Sequence, residues 1–152
     1  MPSKEPTRTT KGNLVTELIL NLFPLNGRLL AVGDDLSSGE GLSSSLWQVL
    51  GALIEAPRTV SQIGRLMGLT RQSVQRSVNI MKDDGLVELV RNPDHQTSPL
   101  VRMTSKGETA YRKVMRLQTE WANGLGERLK VDDLKVAVRV LRTLRETLEN
   151  ES

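Results

Sequence analysis

TVSQIGRLMGLTRQSVQRSVNIMKDDG, residues 59–85, decides the fold. Thr59 with Gln62 three residues later is a capping-box pattern that opens a helix. Ile63, Leu66 and Met67 give that helix an inward side at helical spacing, and Gly68 supplies the left-handed residue that closes it. Thr70 caps a second helix after a turn of only a few residues, and the pattern carries it to about Asp84, with Gly85 as its stop. At 100° per residue, Val74, Ser77, Val78 and Met81 fall on one side of this second helix, and Gln72, Gln75, Arg76 and Asn79 on the other. Helices this short and this polar outside are not stable alone. They must lean on each other and on the apolar segment before them, which predicts a helix-turn-helix with its second helix held as a rod.

Downstream, Leu86 to Arg91 and Leu100 to Thr104 read as two strands. The turn formers Asn92, Pro93, Asp94, Ser98 and Pro99 between them make a hairpin with a long tip. A fifth helix starts at Thr104 or Ser105, where Ser105 and Glu108 form another capping-box pattern. Ala110, Tyr111, Val114, Leu117, Trp121 and Leu125 mark its apolar side. A sixth spans about Asp132 to Leu148, with Leu134, Val138, Leu141, Leu144 and Leu148 spaced by four and three.

Upstream, a helix from about Ser43 to Ala56 buries Leu46, Trp47, Leu50, Leu53 and Ile54, and Asp34 to Leu42 reads as a loop. The first helix runs roughly from Leu14 to Gly33 along a seam of Leu14, Leu18, Leu22, Leu25, Leu29 and Val32. Pro24 should kink it, since proline removes a donor and crowds the preceding turn. Residues 1–12, rich in Thr, Pro, Ser and Lys, read as a mobile arm.

The chain's 152 residues suffice for one domain with a sizeable core. Only 3% of residues are aromatic, so Leu, Val, Ile, Ala and Met must fill that core. The formal net charge is only +3, but it is unevenly spread. Between Arg58 and Lys106 eight basic residues (Arg58, Arg65, Arg71, Arg76, Lys82, Arg91, Arg102, Lys106) face four acidic ones (Asp83, Asp84, Glu88, Asp94). A basic centre between balanced flanks fits an anionic partner, although an ordinary mixed-charge surface would look similar. There is no cysteine, which excludes disulfides, zinc–thiolate sites and thiol redox sensing. One histidine, His95, cannot build a metal cluster alone. Ser43-Ser44-Ser45 has no neighbouring base, and Gly33, Gly39 and Gly41 are too scattered for a phosphate loop. No catalytic site, metal or cofactor is expected. Leu14 to Leu25 is apolar but interrupted by Glu17 and Asn21, and as a stretch too short to span a bilayer. The expectation is a cytoplasmic chain with no membrane partner.

The outer face of the second helix of the pair carries the chemistry. Gln72, Gln75, Arg76 and Asn79 present amide and guanidinium groups that can make paired hydrogen bonds to base edges, and the major groove, about 12 Å wide, admits one helix. Thr70, Arg71 and Ser73 sit at the helix start, where hydroxyls, guanidinium and backbone N–H groups suit phosphate oxygens. From Gly64 to Lys82 there is no Asp or Glu. A single polar helix face would read as merely solvated. The cap, the tight turn, the acid-free face and the following hairpin together point to double-stranded DNA.

The stretch from Leu42 to Glu108 resembles the MarR family of winged-helix regulators. The landmarks are Leu46-Trp47-Gln48-Val49-Leu50, Ser61-Gln62-Ile63-Gly64-Arg65-Leu66-Met67-Gly68-Leu69, Gly85-Leu86-Val87-Glu88 and Val101-Arg102-Met103-Thr104-Ser105-Lys106-Gly107. The flanking helices match in number and length. The resemblance implies a mainly α fold: a winged helix-turn-helix over 42–104 with a small β-hairpin wing, and a helical dimerisation region over 13–35 and 105–150 formed by the N- and C-terminal helices. It implies a homodimeric transcription regulator, a repressor, on an inverted-repeat operator, with the wing reaching the adjacent minor groove, and a small aromatic or anionic effector that releases it. The chain departs from the family in the wing, where an Asp-x-Arg is common. Counted back from Thr104, His95 and Thr97 stand there instead. That loss puts the minor-groove contact in doubt, since arginine is favoured in a narrow minor groove. Arg91 and Arg102 at the strand ends remain candidates for phosphate.

The first, fifth and sixth helices carry more apolar surface than a small winged-helix core can bury, and the long seams on the first and sixth either pack inside one monomer or meet a partner copy. Covering them with a partner copy would set two recognition helices roughly 34–36 Å apart on a duplex. Trp47 and Trp121 are candidates for lining an effector pocket, or are plain core. A winged-helix module binding DNA or protein without sensing a small molecule is the alternative reading.

Overall fold

The computed structural model describes residues 6–151. Helix α1 spans Thr10–Ser37, followed by a 3-10 turn at Ser38–Glu40. Helix α2 is Ser44–Leu53, α3 is Val60–Met67 and α4 is Arg71–Asp83. The hairpin strands are β1, Val87–Val90, and β2, Leu100–Met103. Helix α5 is Ser105–Gly126 and α6 is Val131–Asn150. The chain divides into two compact units, Met1–Val114 and Met115–Ser152, with the boundary inside α5.

The first unit is a winged helix-turn-helix. Val49 and Leu50 of α2, Ile63 of α3, Val74, Val78 and Met81 of α4, Val101 of β2 and Val114 of α5 are fully buried and form one core. The strands pair antiparallel with Glu88 opposite Arg102 and Leu89 opposite Val101. Arg58 adds a single bridge beyond β2: its N–H donates to Val101 O at 3.1 Å, and Val101 N donates back at 2.8 Å.

Local chemistry explains the pair of short helices. Gln62 N donates to Thr59 Oγ1 at 3.2 Å and Thr59 N to Gln62 Oε1 at 2.8 Å, completing the capping box. Gly68, at φ 65°, takes the left-handed turn. Leu69 N then closes α3 on Gly64 O at 2.9 Å. The approach is tight enough that a Cβ on Gly64 would lie 2.8 Å from Leu69 O.

Several expectations shift. The first helix is longer at both ends than Leu14 to Gly33, because Thr9 caps it and it runs on to Ser37. The expected 1–12 arm therefore loses Thr10 to Gly12 to the helix, and its first five residues lie outside the described ones. The expected Asp34–Leu42 loop is largely helical because α1 docks on α2. Ser44 N donates to Asp34 Oδ1 at 2.7 Å, Ser44 Oγ donates to Leu30 O at 2.5 Å, and Gly33 lies against Ser44. The stretch judged too short for a bilayer belongs to a segment, Thr10–Glu40, that is long and apolar enough by length and composition to cross one. Pro24 lies inside α1 without ending it. Ile54 and Leu66, expected to face inward, are exposed. In α3 the inward arc runs through Ile63 and Gly64, and Leu66 falls about 60° outside it at 100° per residue. At α5 the cap is Thr104, not Ser105: Gly107 N donates to Thr104 Oγ1 at 3.1 Å. Glu108 turns instead to Arg112.

Candidate nucleic-acid interface

Helix α4 stands on its buried stripe of Val74, Ser77, Val78 and Met81, which leaves Arg71, Gln72, Ser73, Gln75, Arg76 and Asn79 exposed. Thr70 holds the helix start, accepting from Ser73 N at 3.1 Å through Oγ1 while its own hydroxyl hydrogen remains a donor. Gln75 Nε2 donates to Asn79 Oδ1 at 3.0 Å, one helical turn away. Ile80 is also exposed, at 43%, one turn beyond Arg76. The polar pattern of the face gave no reason to single it out.

The basic residues of the middle third sort into two groups. Three are committed to the fold. Arg58 Nε donates to Ala52 O at 2.8 Å, Lys106 Nζ donates to Asp84 O at 2.7 Å at the end of α4, and Arg102 pairs with Glu88 across the hairpin at 2.8 Å. Arg65, Arg71, Arg76, Lys82 and Arg91 have exposed side chains. Arg102, a candidate for phosphate, thus has a carboxylate on its guanidinium. Arg91 lies just past β1.

The wing tip is built around Asn92, which is buried. Its Nδ2 donates to Ser98 O at 2.8 Å and its Oδ1 accepts from Asp94 N at 3.0 Å, so one side chain bridges both sides of the tip. His95 and Thr97 are exposed beyond it. Between the tip and α3 lies a cleft of about 490 Å³ whose lining includes Ser61, Gln62, Arg65, Asn92, Asp94 and His95.

Trp47 is half-buried against the core of the first unit. Trp121 is half-buried on α5 within the second. Tyr111 packs beside Gly51, and burial pushes its phenol above the usual value, which keeps it neutral. Among the described residues no group of three or more His, Asp and Glu could hold a metal ion.

Two capped helices at a tight turn, an exposed acid-free face and a hairpin packed on the same core define a winged helix-turn-helix DNA-binding protein. Residues 40–96 match the model of the MarR family. An uncharacterized protein of Mycobacterium tuberculosis is 38% identical over 115 residues, covering 76% of this chain and 78% of that one. The transcriptional activatory protein BadR of Rhodopseudomonas palustris is 30% identical over 101 residues, covering 64% of this chain and 58% of BadR. Among solved structures, the PcaV transcriptional regulator of Streptomyces coelicolor, in complex with its natural ligand, shares the fold with a TM-score of 0.67 at 24% identity, over 80% of this chain and 89% of that one. The chain belongs to the MarR family and is a transcription regulator, not an enzyme.

Proposed function

We propose that the protein binds an inverted-repeat operator as a homodimer, with α4 of each copy in a major groove. The observation that carries this reading is the face of α4: Gln72, Gln75, Arg76 and Asn79 stand exposed on a helix fixed by a fully buried stripe. Gln and Asn suit adenine and Arg suits guanine. Thr70, Arg71 and Ser73 at the helix start take phosphate oxygens. Arg91 takes phosphate from the wing, and Arg102 does so only after leaving Glu88. The apolar residues left exposed on α1, α5 and α6 (Leu14, Leu25, Leu29, Leu117, Leu134 and Leu141) are the surface a partner copy covers, so 13–35 and 105–150 are assigned to dimerisation and 42–104 to DNA binding.

A dimer spread over two half-sites blocks other proteins from the same duplex, which makes repression the default outcome. The place of action is the cytoplasm, where the DNA is. PcaV, of the same fold, is described with its natural ligand. A small aromatic or anionic effector is the matching expectation here, with Trp47 of the first unit and Trp121 of the second as separate candidate contacts.

The test is binding to duplexes selected from a randomised pool, measured over a range of salt. Log affinity should fall linearly with log salt, with a slope of about −0.9 per phosphate neutralised. Arg76→Ala should weaken the selected duplex by about 1–3 kcal/mol and random duplex by much less. Equal losses on both would make Arg76 a phosphate contact, and a flat salt profile would remove the basic lobe as the interface.

A further inference from the structure

We infer that Asn79 does not read a base of its own but positions the Gln75 carboxamide to read one. The inference rests on the proposed entry of α4 into the major groove and assigns the two amides different jobs within it.

Gln75 and Asn79 sit one turn apart on the exposed face of α4, and the Nε2 of Gln75 donates to Oδ1 of Asn79 at 3.0 Å. A primary amide has one acceptor oxygen and two N–H donors. Reading adenine takes the oxygen and one of those N–H groups: the oxygen accepts from N6–H and the N–H donates to N7. The second N–H has no part in that pair. If it is the one given to Asn79, Gln75 presents only the acceptor and donor that adenine matches. The amide plane is set before the duplex arrives.

Without the bond, the long Gln75 side chain must be ordered on binding, and its amide can turn over to offer donor and acceptor in reversed order. Reversal costs little in water, where either orientation is solvated. In a groove that has expelled its water, an N–H without an acceptor is expensive. Asn79 supplies that acceptor and so favours one orientation. Its position fits this role, because in helix-turn-helix docking the N-terminal residues of the recognition helix meet base edges. Asn79 lies in the C-terminal half of Arg71–Asp83, a turn further from the end that leads.

The test is a base-preference profile on duplexes selected from a randomised pool, for the wild type, Gln75→Ala, Asn79→Ala, the double variant and Asn79→Asp. All changes are on the exposed face, and thermal denaturation checks that each variant is folded. Gln75→Ala should erase preference at one base pair per half-site. Asn79→Ala should reduce preference at that same pair from roughly 10-fold or more to about 2-fold. The double variant should be no worse there than Gln75→Ala alone. Asn79→Asp keeps the acceptor and adds a charge. It should weaken all duplexes together while preserving the preference at the Gln75 pair. The inference fails if Asn79→Ala erases preference at a different base pair, if it leaves the Gln75 pair unchanged, or if Asn79→Asp loses discrimination as Asn79→Ala does. If Gln75→Ala alters no base preference, the inference also fails. An Arg76→Ala profile on the same pool then tells whether α4 still reads bases or the major-groove reading itself has failed.

Discussion

Arg102 shows how much a single residue's role depends on what lies opposite it. On β2 it points along with Glu88 to the same face of the hairpin, and the pair closes at 2.8 Å. Both side chains are about half exposed, so the pair itself contributes little stability, in the range of about 0–1 kcal/mol. Its consequence is electrostatic: a carboxylate sits on the guanidinium that the proposed function gives to phosphate. Glu88→Gln should therefore tighten binding to any duplex and steepen the salt slope by about 1, measured by fluorescence anisotropy at several salt concentrations. In an Arg102→Ala background the same change should yield no steeper slope. An unchanged affinity in both backgrounds would place the strands away from DNA. None of this pairing was legible in the sequence, because the register depends on how many residues the wing tip consumes. Asn92 was legible only as a turn former, since its two bonds join residues on both sides of a tip whose course no local pattern dictates. The outward residues of α4 were legible, because helical periodicity alone separates them from Val74, Val78 and Met81.

At the scale of elements the same division holds. The starts of α3 and α4 could be read directly, since Thr59 and Thr70 bond to N–H groups three residues away. The start of α5 could not. Thr104 outcompetes Ser105 as the cap because its hydroxyl also donates to Gly85 O at 2.7 Å, a contact that exists only once the hairpin has folded back on α4. The end of α1 depends likewise on α2, through Ser44 and Asp34. The turn between α3 and α4 sets the pose of α4, on which the proposed DNA reading depends. Gly64→Ala would bring a methyl to 2.8 Å from the Leu69 carbonyl, and neither partner is a flexible side chain. Overpacking of this kind costs about 1–3 kcal/mol. The expected result is a lower thermal midpoint and weaker operator binding, because α4 tilts as the turn opens. Gly27→Ala, in open space on α1, is the control and should raise or leave the midpoint. Equal midpoints for both variants would mean the turn tolerates the added methyl.

For the whole molecule the governing question is what covers the apolar residues. Leu14 is 61% exposed, Phe23 70% and Leu141 42%, although each lies on an amphipathic or wholly apolar helix face. Apolar surface is worth about 25 cal/mol per Å² when buried, and a standard interface removes about 1,600 Å² from water. A chain that folds its winged core fully and leaves leucines bare on α1 and α6 has placed that driving force outside itself. The sequence seams foretold that apolar surface would be left over, while periodicity alone carried no information on what would cover it. Leu14→Glu combined with Leu141→Glu should separate association from folding, because both positions are solvent-facing in the single chain and charge there leaves the core untouched. Sedimentation should give a dimer for the wild type and a monomer for the double variant at micromolar concentration, with helical circular dichroism retained in both. Binding to a duplex with two half-sites should then drop by about 10²–10⁴-fold, the advantage that linking two sites provides, while binding to one half-site is unchanged. A double variant that still sediments as a dimer would move the interface off these seams. A wild type that is monomeric at every concentration tested would leave the inverted repeat without a reason.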